Sequence, residues 1–291
     1  MPEPTIKSGS FSLAILTVAG KLIDSPQRAL PLAAFAFYCW FVFLSTVAPG
    51  PNALSLDPAT WQEVKDLSLN FWLIMPIAAP DASPVLHPGL EGLFNFLLSW
   101  AALFSGFIVD GKREAIGDYQ QGEAAPDGGK GPKNAFVPYV LGMQLLTNAI
   151  YLPYLVLRKP WFPSSDNDGA AVTLNGAERF GESRVAPLAF MGVGLLSLGW
   201  AVLGRPEFGD LATRWASFVD IVGTDRLTFS FVVDCLFFGA FQGWLMNDDL
   251  KRRPQAGGPN LVLAKAVPFF GLVYYLMARP RLQLDGGDQK A

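Results

Sequence analysis

The sequence predicts an all-α integral membrane protein, a polytopic helical bundle with about six transmembrane helices. Hydrophobic residues make up 51% of its 291 positions and charged residues 16%, whereas a soluble domain carries about 25% charged residues. Six apolar runs have roughly the 17–25 residues that a helix needs to cross a bilayer. The runs are continuous rather than alternating, which disfavours a β-barrel, and a lipid-exposed backbone must satisfy its own hydrogen bonds as a helix.

The predicted spans follow one another along a single membrane domain, residues 1–291. Spans one to six are Leu30–Val47, Leu90–Val109, Phe136–Leu157, Val185–Leu203, Leu227–Leu245 and Leu261–Met277. The domain divides into an N-terminal interfacial segment (1–29), a part with spans one to three (30–157) and a part with spans four to six (158–291). Two apolar segments too short to cross, Phe11–Ile23 and Leu69–Pro80, are predicted to be interfacial or re-entrant.

A repeated spacing of polar residues predicts that the spans form two halves. Asn95 precedes Asp110 by 15 residues as Asp234 precedes Asp249, and Tyr154 precedes Arg158 by four as Tyr275 precedes Arg279. With three spans in each half, the second half would have the opposite orientation in the membrane. This gives an inverted three-plus-three repeat with a site at the midplane. The alternative is coincidence, because charges at helix exits and Tyr and Arg at interfaces are common.

The composition and the motifs of the chain exclude some classes of function and give no support to others. The net charge of −3 and the lack of a basic stripe indicate no nucleic-acid partner. The single histidine, His87, excludes a haem held by two histidines of this chain and a multi-histidine metal cluster. No nucleophile elbow, phosphate-binding loop, dinucleotide fingerprint or zinc-ligand spacing is present. We therefore predict no cofactor and no metal site, and whether the protein is an enzyme stays open.

Asp234 is the most informative candidate site residue, because it lies near the middle of span five. A carboxylate there must be protonated, paired or hydrated. Lys265 in span six is a possible partner, although its side chain could more easily extend towards the interface near Asp248 and Asp249.

Further polar residues share helix faces in spans two and three. These are Glu91 and Asn95 in span two and Gln144 and Asn148 in span three. One interpretation is a polar cavity that they line together with Asp234, and the other is ordinary hydrogen bonding between helices. His87 and Glu91 form an i, i+4 pair that could shuttle a proton. Alternatively, Pro88 starts the helix and His87 lies in the headgroup zone.

Five segments carry a resemblance to known proteins: Leu86–Asn95, Thr224–Asp234, Phe241–Arg253, Val267–Leu276 and Ala278–Pro280. The chain resembles uncharacterised multi-span membrane proteins of cyanobacteria and plastids in these segments, in a match that extends over about a third of its length. It is also similar, more distantly, to the plastid membrane family tied to neoxanthin synthesis. The resemblance implies a photosynthetic membrane and a link to pigment or lipid metabolism. It establishes no catalytic residue.

Three functions are therefore expected to compete. The first is an accessory protein of a photosynthetic membrane, linked to pigment or lipid metabolism, with the bilayer and either pigments or membrane complexes as partners. The second is a small-solute or proton-coupled transporter, and the third is a membrane enzyme that acts on an isoprenoid or lipid. The expected location is a cyanobacterial thylakoid or plasma membrane, or a plastid membrane. With six spans, Lys and Arg number 13 on the side of the termini and 8 on the other, which favours cytoplasmic or stromal termini.

Overall fold

The computed structural model describes residues 28–59, 84–115, 136–158, 174–253 and 258–282, together with positions 61, 78, 79 and 81. For residues 111–115 it describes the backbone alone. Every regular element in the described ranges is a helix. The predicted segment Phe11–Ile23 lies outside the described residues, and so does Leu69–Pro80 except for positions 78 and 79.

Nine helices of these ranges define the architecture. In chain order they are α1 (Ala29–Leu44), α2 (Pro88–Asp110), α3 (Val137–Leu157), α4 (Gly176–Glu182), α5 (Val185–Leu203), α6 (Leu211–Thr224), α7 (Arg226–Lys251), α8 (Leu261–Ala266) and α9 (Phe270–Ala278). Helices α2, α3, α5 and α7 are long and apolar enough to cross a membrane, and α1 is a shorter apolar helix. The described chain is thus all-helical, as predicted, and its apolar helices are compatible with a membrane bundle.

Helix α3 is folded back on itself in the middle. Its backbone leaves the helical region at Leu146 and Thr147, and Thr147 has a φ of 31°. The rings of Phe136 and Tyr154 lie 4.0 Å apart, whereas 18 residues of straight helix would separate them by about 27 Å. Both legs of α3 therefore start and finish at the same end of the bundle, and the prediction that span three crosses is wrong.

Span six is folded back in the same way, at the break between α8 and α9. Phe269 at this break has a φ of 59°, and Pro268 removes a backbone donor there. A Cβ at position 271 would overlap the carbonyl oxygen of Ala264, so only glycine allows the two legs to pack this closely. The amide of Asn260 also donates to the Tyr274 hydroxyl at 3.3 Å. The prediction that span six crosses is therefore wrong as well.

Helix α1 runs between two chemically different ends of the bundle. Asp110, Arg158 and Arg252 meet at one end, which we call the charged end. Arg28, just before α1, donates to the carbonyl of Arg158 at this end at 2.8 Å. At the other end, which we call the opposite end, Arg226 donates to the carbonyl of Val42 at 2.9 Å. Helix α1 therefore extends from the charged end to the opposite end.

Helices α2 and α7 run parallel. The rings of Phe94 and Phe231, near their N-termini, are 5.3 Å apart, and Asp110 and Arg252, at their C-termini, form an ion pair. An inverted repeat requires spans two and five to run in opposite directions, so the predicted inversion is wrong. The reason is that each hairpin returns the chain to the end from which it entered. Two helices in each half, rather than three, therefore run from one end of the bundle to the other, and we call α1, α2, α5 and α7 the through-running helices.

Helix α5 runs antiparallel to α2 and packs closely against it. A Cβ at Gly92 would lie 2.6 Å from the carbonyl oxygen of Ser197, so glycine permits the approach of the two backbones. One hydrophobic cluster joins α1, α2, α3, α7, α8 and α9. Its largest fully buried side chains include Trp100, Tyr151 and Phe238. The two hairpins and the through-running helices thus share one aromatic core.

Candidate functional site

Asp234 is bound by the tip of the α3 hairpin. Thr147 Oγ1 donates to Asp234 Oδ2 at 2.7 Å, and Asn148 Nδ2 donates to Asp234 Oδ1 at 2.7 Å and to its backbone carbonyl at 3.0 Å. The Tyr38 hydroxyl of α1 makes a further hydrogen bond to this carboxylate. Asp234 is 2% exposed and Asn148 is fully buried. Three elements therefore converge on one carboxylate, and we call these four residues the tip cluster.

The backbone break in α3 places two of these donors. At Thr147 the chain turns, so that Thr147 and Asn148 sit at the point of the hairpin farthest from the charged end. Asp234 lies 15 residues before Asp249 on α7, which corresponds to about 22 Å of helix. The tip cluster is thus near the middle of the bundle. Sequence reasoning identified Asp234 and Asn148, but it missed Tyr38 and Thr147 because neither residue type is unusual in an apolar helix.

Lys265 is not the partner of Asp234. Its Nζ donates to Asn247 Oδ1 at 2.6 Å, and its stem lies against Gly243. The proposed pairing of Asp234 with Lys265 is therefore wrong. The lysine instead extends along the last turns of α7 towards the charged end, as the alternative interpretation expected.

The structure does not bring the predicted cavity residues together. Glu91 accepts from Trp200 Nε1 at 2.7 Å and forms an ion pair with Arg205 at 2.7 Å, which ties α2 to the end of α5. The hydrogen bond to Glu91 raises the pKa of Arg205 above its usual value. The Asn95 amide donates to the Glu91 carbonyl at 2.8 Å, within its own helix. Of these residues, only Asn148 meets Asp234, so a single polar cavity lined by all of them is not formed.

Gln144 takes part in the hydrogen bonding between helices that the second interpretation predicted. Its amide faces the backbone of α2. In the orientation of the amide that satisfies both of its groups, Nε2 donates to the Leu98 carbonyl and Oε1 accepts from the Ala102 amide, both at 3.3 Å. It belongs to the first leg of α3, on the other side of the break from Asn148. The contact joins that leg to α2, away from the tip cluster.

His87 begins α2 and is held as a neutral imidazole. Its Nδ1 accepts the amide proton of Gly89 at 3.0 Å, so the ring proton is on Nε2, which lies 2.9 Å from Ser217 Oγ. Burial lowers the pKa of His87 below its usual value. An imidazole that donates to a serine cannot also remove its proton, so this pair is not arranged as a nucleophile and base. The i, i+4 pair with Glu91 is likewise absent, because Glu91 is bound to Arg205.

An apolar groove opens beside His87. It has a volume of about 220 Å³ and lies between α2, α5 and the surface helix α6. Residues of all three helices line it, among them His87, Leu93, Phe96, Leu198, Val202 and Phe218. The charged residue on its wall, Arg214, is occupied by backbone carbonyls, including those of Val202 and Gly204. The groove therefore offers apolar walls and one neutral imidazole edge.

Two matched triads hold the charged end together. In each triad a tyrosine hydroxyl and an arginine guanidinium donate to one aspartate at 2.5–2.9 Å. The triads are Asp110–Tyr154–Arg158 and Asp249–Tyr275–Arg279. Each joins the C-terminus of a through-running helix to the second leg of a hairpin. The spacing noticed in the sequence therefore corresponds to repeated contacts.

Further buried ion pairs connect the triads. Arg252 contacts Asp110 and lies 3.8 Å from Asp249, and Arg253 binds both Asp249 and Glu182 of α4. Asp248 forms an ion pair with Arg158. The carboxylates are thus neutralised by arginines. Within the described residues, no group of three His, Cys, Asp or Glu side chains could hold a metal ion.

Comparisons with family models, curated proteins and solved structures find no match to the chain. Membership of a known family is therefore not shown, and the resemblance to plastid and cyanobacterial proteins stays a prediction. The residues of the groove and of the tip cluster provide the basis for a functional proposal.

Proposed function

We propose that the chain is an integral membrane accessory protein that holds the apolar part of an isoprenoid, such as a pigment, or of a lipid in the groove beside His87. The observation that carries the proposal is the groove itself, which has apolar walls and an imidazole at its edge. His87 lies one residue before α2, and Phe96 lies nine residues further along. The groove therefore reaches about 13 Å along the helix, a length suited to a hydrocarbon chain.

The polar groups around the groove support a role in binding rather than in catalysis. The His87 ring nitrogens are occupied by Gly89 and Ser217, and Glu91 is neutralised by Arg205. No general acid or base is thus free to act on a bound chain at these residues. The occupant also needs no charged head, because Arg214 already binds backbone carbonyls. This favours the accessory role over the membrane enzyme among the three expected functions.

A photosynthetic membrane is the proposed location. Its support is the resemblance in the sequence, and one segment that carries it, Leu86–Asn95, forms a wall of the groove through His87, Gly89, Gly92 and Leu93. A deletion strain should then have an altered pigment or lipid profile. Unchanged carotenoids and lipids in that strain would count against this location and link.

We also propose that the fold is a duplication of one unit in a single orientation. The unit consists of two through-running helices followed by a hairpin: α1, α2 and α3 in the first copy, and α5, α7 and the α8–α9 hairpin in the second. The matched triads support it, and so does the parallel direction of α2 and α7. This replaces the inverted repeat with a relation about an axis along the membrane normal.

The groove can be tested by filling it. Leu198 lines the groove on α5, and Leu196, on the same helix, does not line it and is 70% exposed. The protein would be purified from native membranes and its bound pigments and lipids extracted and quantified by mass spectrometry. We expect Leu198→Trp to lose the bound molecule and Leu196→Trp to retain it. Equal amounts in both variants would contradict the proposal.

A proton-coupled transporter is the second candidate, and the observation that favours it is Asp234. Transporters place ionisable residues at broken helices near the bilayer midplane, and the tip cluster has this composition. Proteoliposomes with a pH gradient and an internal pH dye would measure proton flux. A flux that Asp234→Asn abolishes would favour transport over the accessory role.

A further inference from the structure

Asp234 differs from the other buried carboxylates in its partners. Glu91, Asp110, Asp248 and Asp249 each form an ion pair with at least one arginine, as does the partly exposed Glu182, and the buried Glu178 caps α4 by accepting from the Asn175 amide. In the described part of the chain, the groups that hydrogen-bond the Asp234 side chain are two hydroxyls and an amide. These are polar but uncharged. The negative charge of Asp234 therefore has no counter-charge among its hydrogen-bonding partners.

A single charge in this position is costly. Removing a carboxylate from water carries a penalty of several kcal/mol even after relaxation, and neutral hydrogen bonds recover only part of it. Two opposed effects therefore act on Asp234: three donors stabilise the carboxylate, and burial disfavours it. A positively charged ligand that reaches Asp234 would remove the penalty.

Asn148 provides a second, independent observation at the same site. Its Nδ2 donates to Asp234, but its Oδ1 is buried and has no hydrogen-bond donor. A buried acceptor without a donor is rare and costs about as much as a lost hydrogen bond. The cluster thus contains an anion without a counter-charge and, on a neighbouring side chain, an oxygen without a partner. Both are satisfied by one cation or by one added proton.

We infer that the tip cluster is a binding site for one monovalent cation, either a proton or a sodium ion. A proton from solvent would add to a carboxylate oxygen of Asp234 and form an O–H bond. The new hydroxyl would donate to Asn148 Oδ1 once the amide had turned. A sodium ion would instead be coordinated by the oxygens of Asp234, Asn148, Thr147 and Tyr38, because hard cations prefer oxygen ligands. In both cases the ligand supplies one positive charge.

Few titratable groups face Asp234, so a change in its charge can be measured without overlapping changes in its neighbours. Tyr38 faces it from α1, with Cys39 next to Tyr38 in the chain, and Cys235 is adjacent to it on α7. The α3 hairpin contributes Thr147 and Asn148, which do not titrate. Because tyrosine and cysteine side chains are ordinarily neutral at neutral pH, the carboxylate is the charged group of this cluster.

Occupancy would affect the hairpin as well as the carboxylate. Three side chains from two elements are oriented by the charge on Asp234, and Thr147 has a positive φ that L-residues seldom adopt. Neutralising Asp234 weakens charge-assisted hydrogen bonds to this turn. The site thus couples cation binding to the tip of α3 in a chain whose groove lies elsewhere, beside His87.

Infrared spectroscopy of the full chain in nanodiscs of neutral lipids tests the site. In the proton arm, spectra are recorded from acidic to alkaline pH without sodium, and the carbonyl band of a protonated carboxyl is followed. In the sodium arm, sodium chloride replaces choline chloride at a fixed alkaline pH, and bound radioactive sodium is counted. We expect one arm to give a signal equivalent to one site per chain, lost in Asp234→Asn. The arm that responds identifies the cation.

Ser230→Ala is the matched control, because Ser230 lies one turn before Asp234 and its hydroxyl donates to the Leu227 carbonyl. This variant should retain the signal. If Asp234→Asn does not fold, Tyr38→Phe removes one hydroxyl and keeps the ring. It should change the apparent affinity for the cation about tenfold, the effect of one hydrogen bond to a charged group. No signal that depends on Asp234 in either arm, or an unchanged affinity in Tyr38→Phe, would overturn the inference.

Discussion

Arg252 of α7 forms a buried ion pair with Asp110 of α2, and this contact fixes the C-termini of two parallel helices against each other. Neither side chain is more than 1% exposed. Arg158 binds the same aspartate from the second leg of the α3 hairpin. One carboxylate thus holds two through-running helices and a hairpin, and the stability of the bundle should depend on it.

Removing the charge of Arg252 should be strongly destabilising. Arg252→Gln leaves Asp110 with Arg158 and Tyr154 as its side-chain donors. Breaking one of its two buried ion pairs should cost about 3 kcal/mol, the lower end of the range for a buried pair. Lys251→Gln is the control, since the Lys251 side chain is 62% exposed and pairs with Asp248 at the surface. That change should cost less than about 1 kcal/mol. Unfolding in mixed micelles by SDS titration measures both, and a similar loss in the two variants would contradict the role of Arg252.

The sequence predicted this end of the bundle only in part. The offset of 15 between Asn95 and Asp110 and between Asp234 and Asp249 pointed to two helices whose C-terminal aspartates make matching contacts. The direction of each helix could not be predicted from this offset, because an apolar segment of about 20 residues has the same composition whether it crosses the membrane or folds back. The break in α3 is at Thr147, which has no special helix-breaking chemistry. Tertiary contacts to Asp234, rather than local propensity, hold that break.

The charged end should face the cytoplasm or stroma. Among the described residues, three cations lie at the opposite end, Arg205, Arg214 and Arg226. Eleven lie at the charged end: Arg28, Lys112, Arg113, Arg158, Arg179, Arg184, Lys251, Arg252, Arg253, Arg279 and Arg281. Because Lys and Arg accumulate on the cytoplasmic side of membrane proteins, this asymmetry among the described residues favours a cytoplasmic or stromal charged end.

Labelling of single cysteines measures this orientation. Cys39 and Cys235 would first be replaced by alanine. Arg184→Cys at the charged end and Ala212→Cys at the opposite end are both exposed. In intact bacterial cells expressing the chain, an impermeant maleimide should label position 212 and reach position 184 only after lysis. Labelling of position 184 in intact cells would reverse the orientation.

The α8–α9 hairpin should not tolerate a side chain at position 271. A methyl group there would overlap the backbone oxygen of Ala264, and backbone cannot move aside as a flexible side chain can. Gly271→Ala should therefore destabilise by about 3 kcal/mol or more. A Cβ at Gly192 on α5 meets no atom within 4 Å, so Gly192→Ala should change stability by less than about 1 kcal/mol. Comparable thermal stability of the two variants in detergent would show that the legs of the hairpin are not closely packed.

The polar residues of spans two and three were identified as candidates, but their grouping could not be predicted. Glu91 is oriented by Arg205 and Trp200, which follow it by more than 100 residues in the chain. A helix face calculated from spacing shows that Glu91 and Asn95 are neighbours. It does not show which helix covers them. Here the covering helix is α5, and Arg205, just beyond its C-terminus, neutralises the carboxylate.

Acidification should destabilise the opposite end through His87. Burial lowers the pKa of His87, so the unfolded chain takes up a proton more readily than the folded one. The contribution of neutral His87 to the free energy of unfolding is fully present above the pKa that the histidine has in the unfolded chain, about 6.5, and is lost as the pH falls below that value. Protonated Nδ1 also cannot accept the Gly89 amide proton, which removes the cap of α2. His87→Asn keeps a capping side chain and removes the titration. Thermal unfolding between about pH 8 and pH 5 should therefore show a decline in the native protein that is smaller in His87→Asn, and an equal decline in both would place the pH dependence elsewhere.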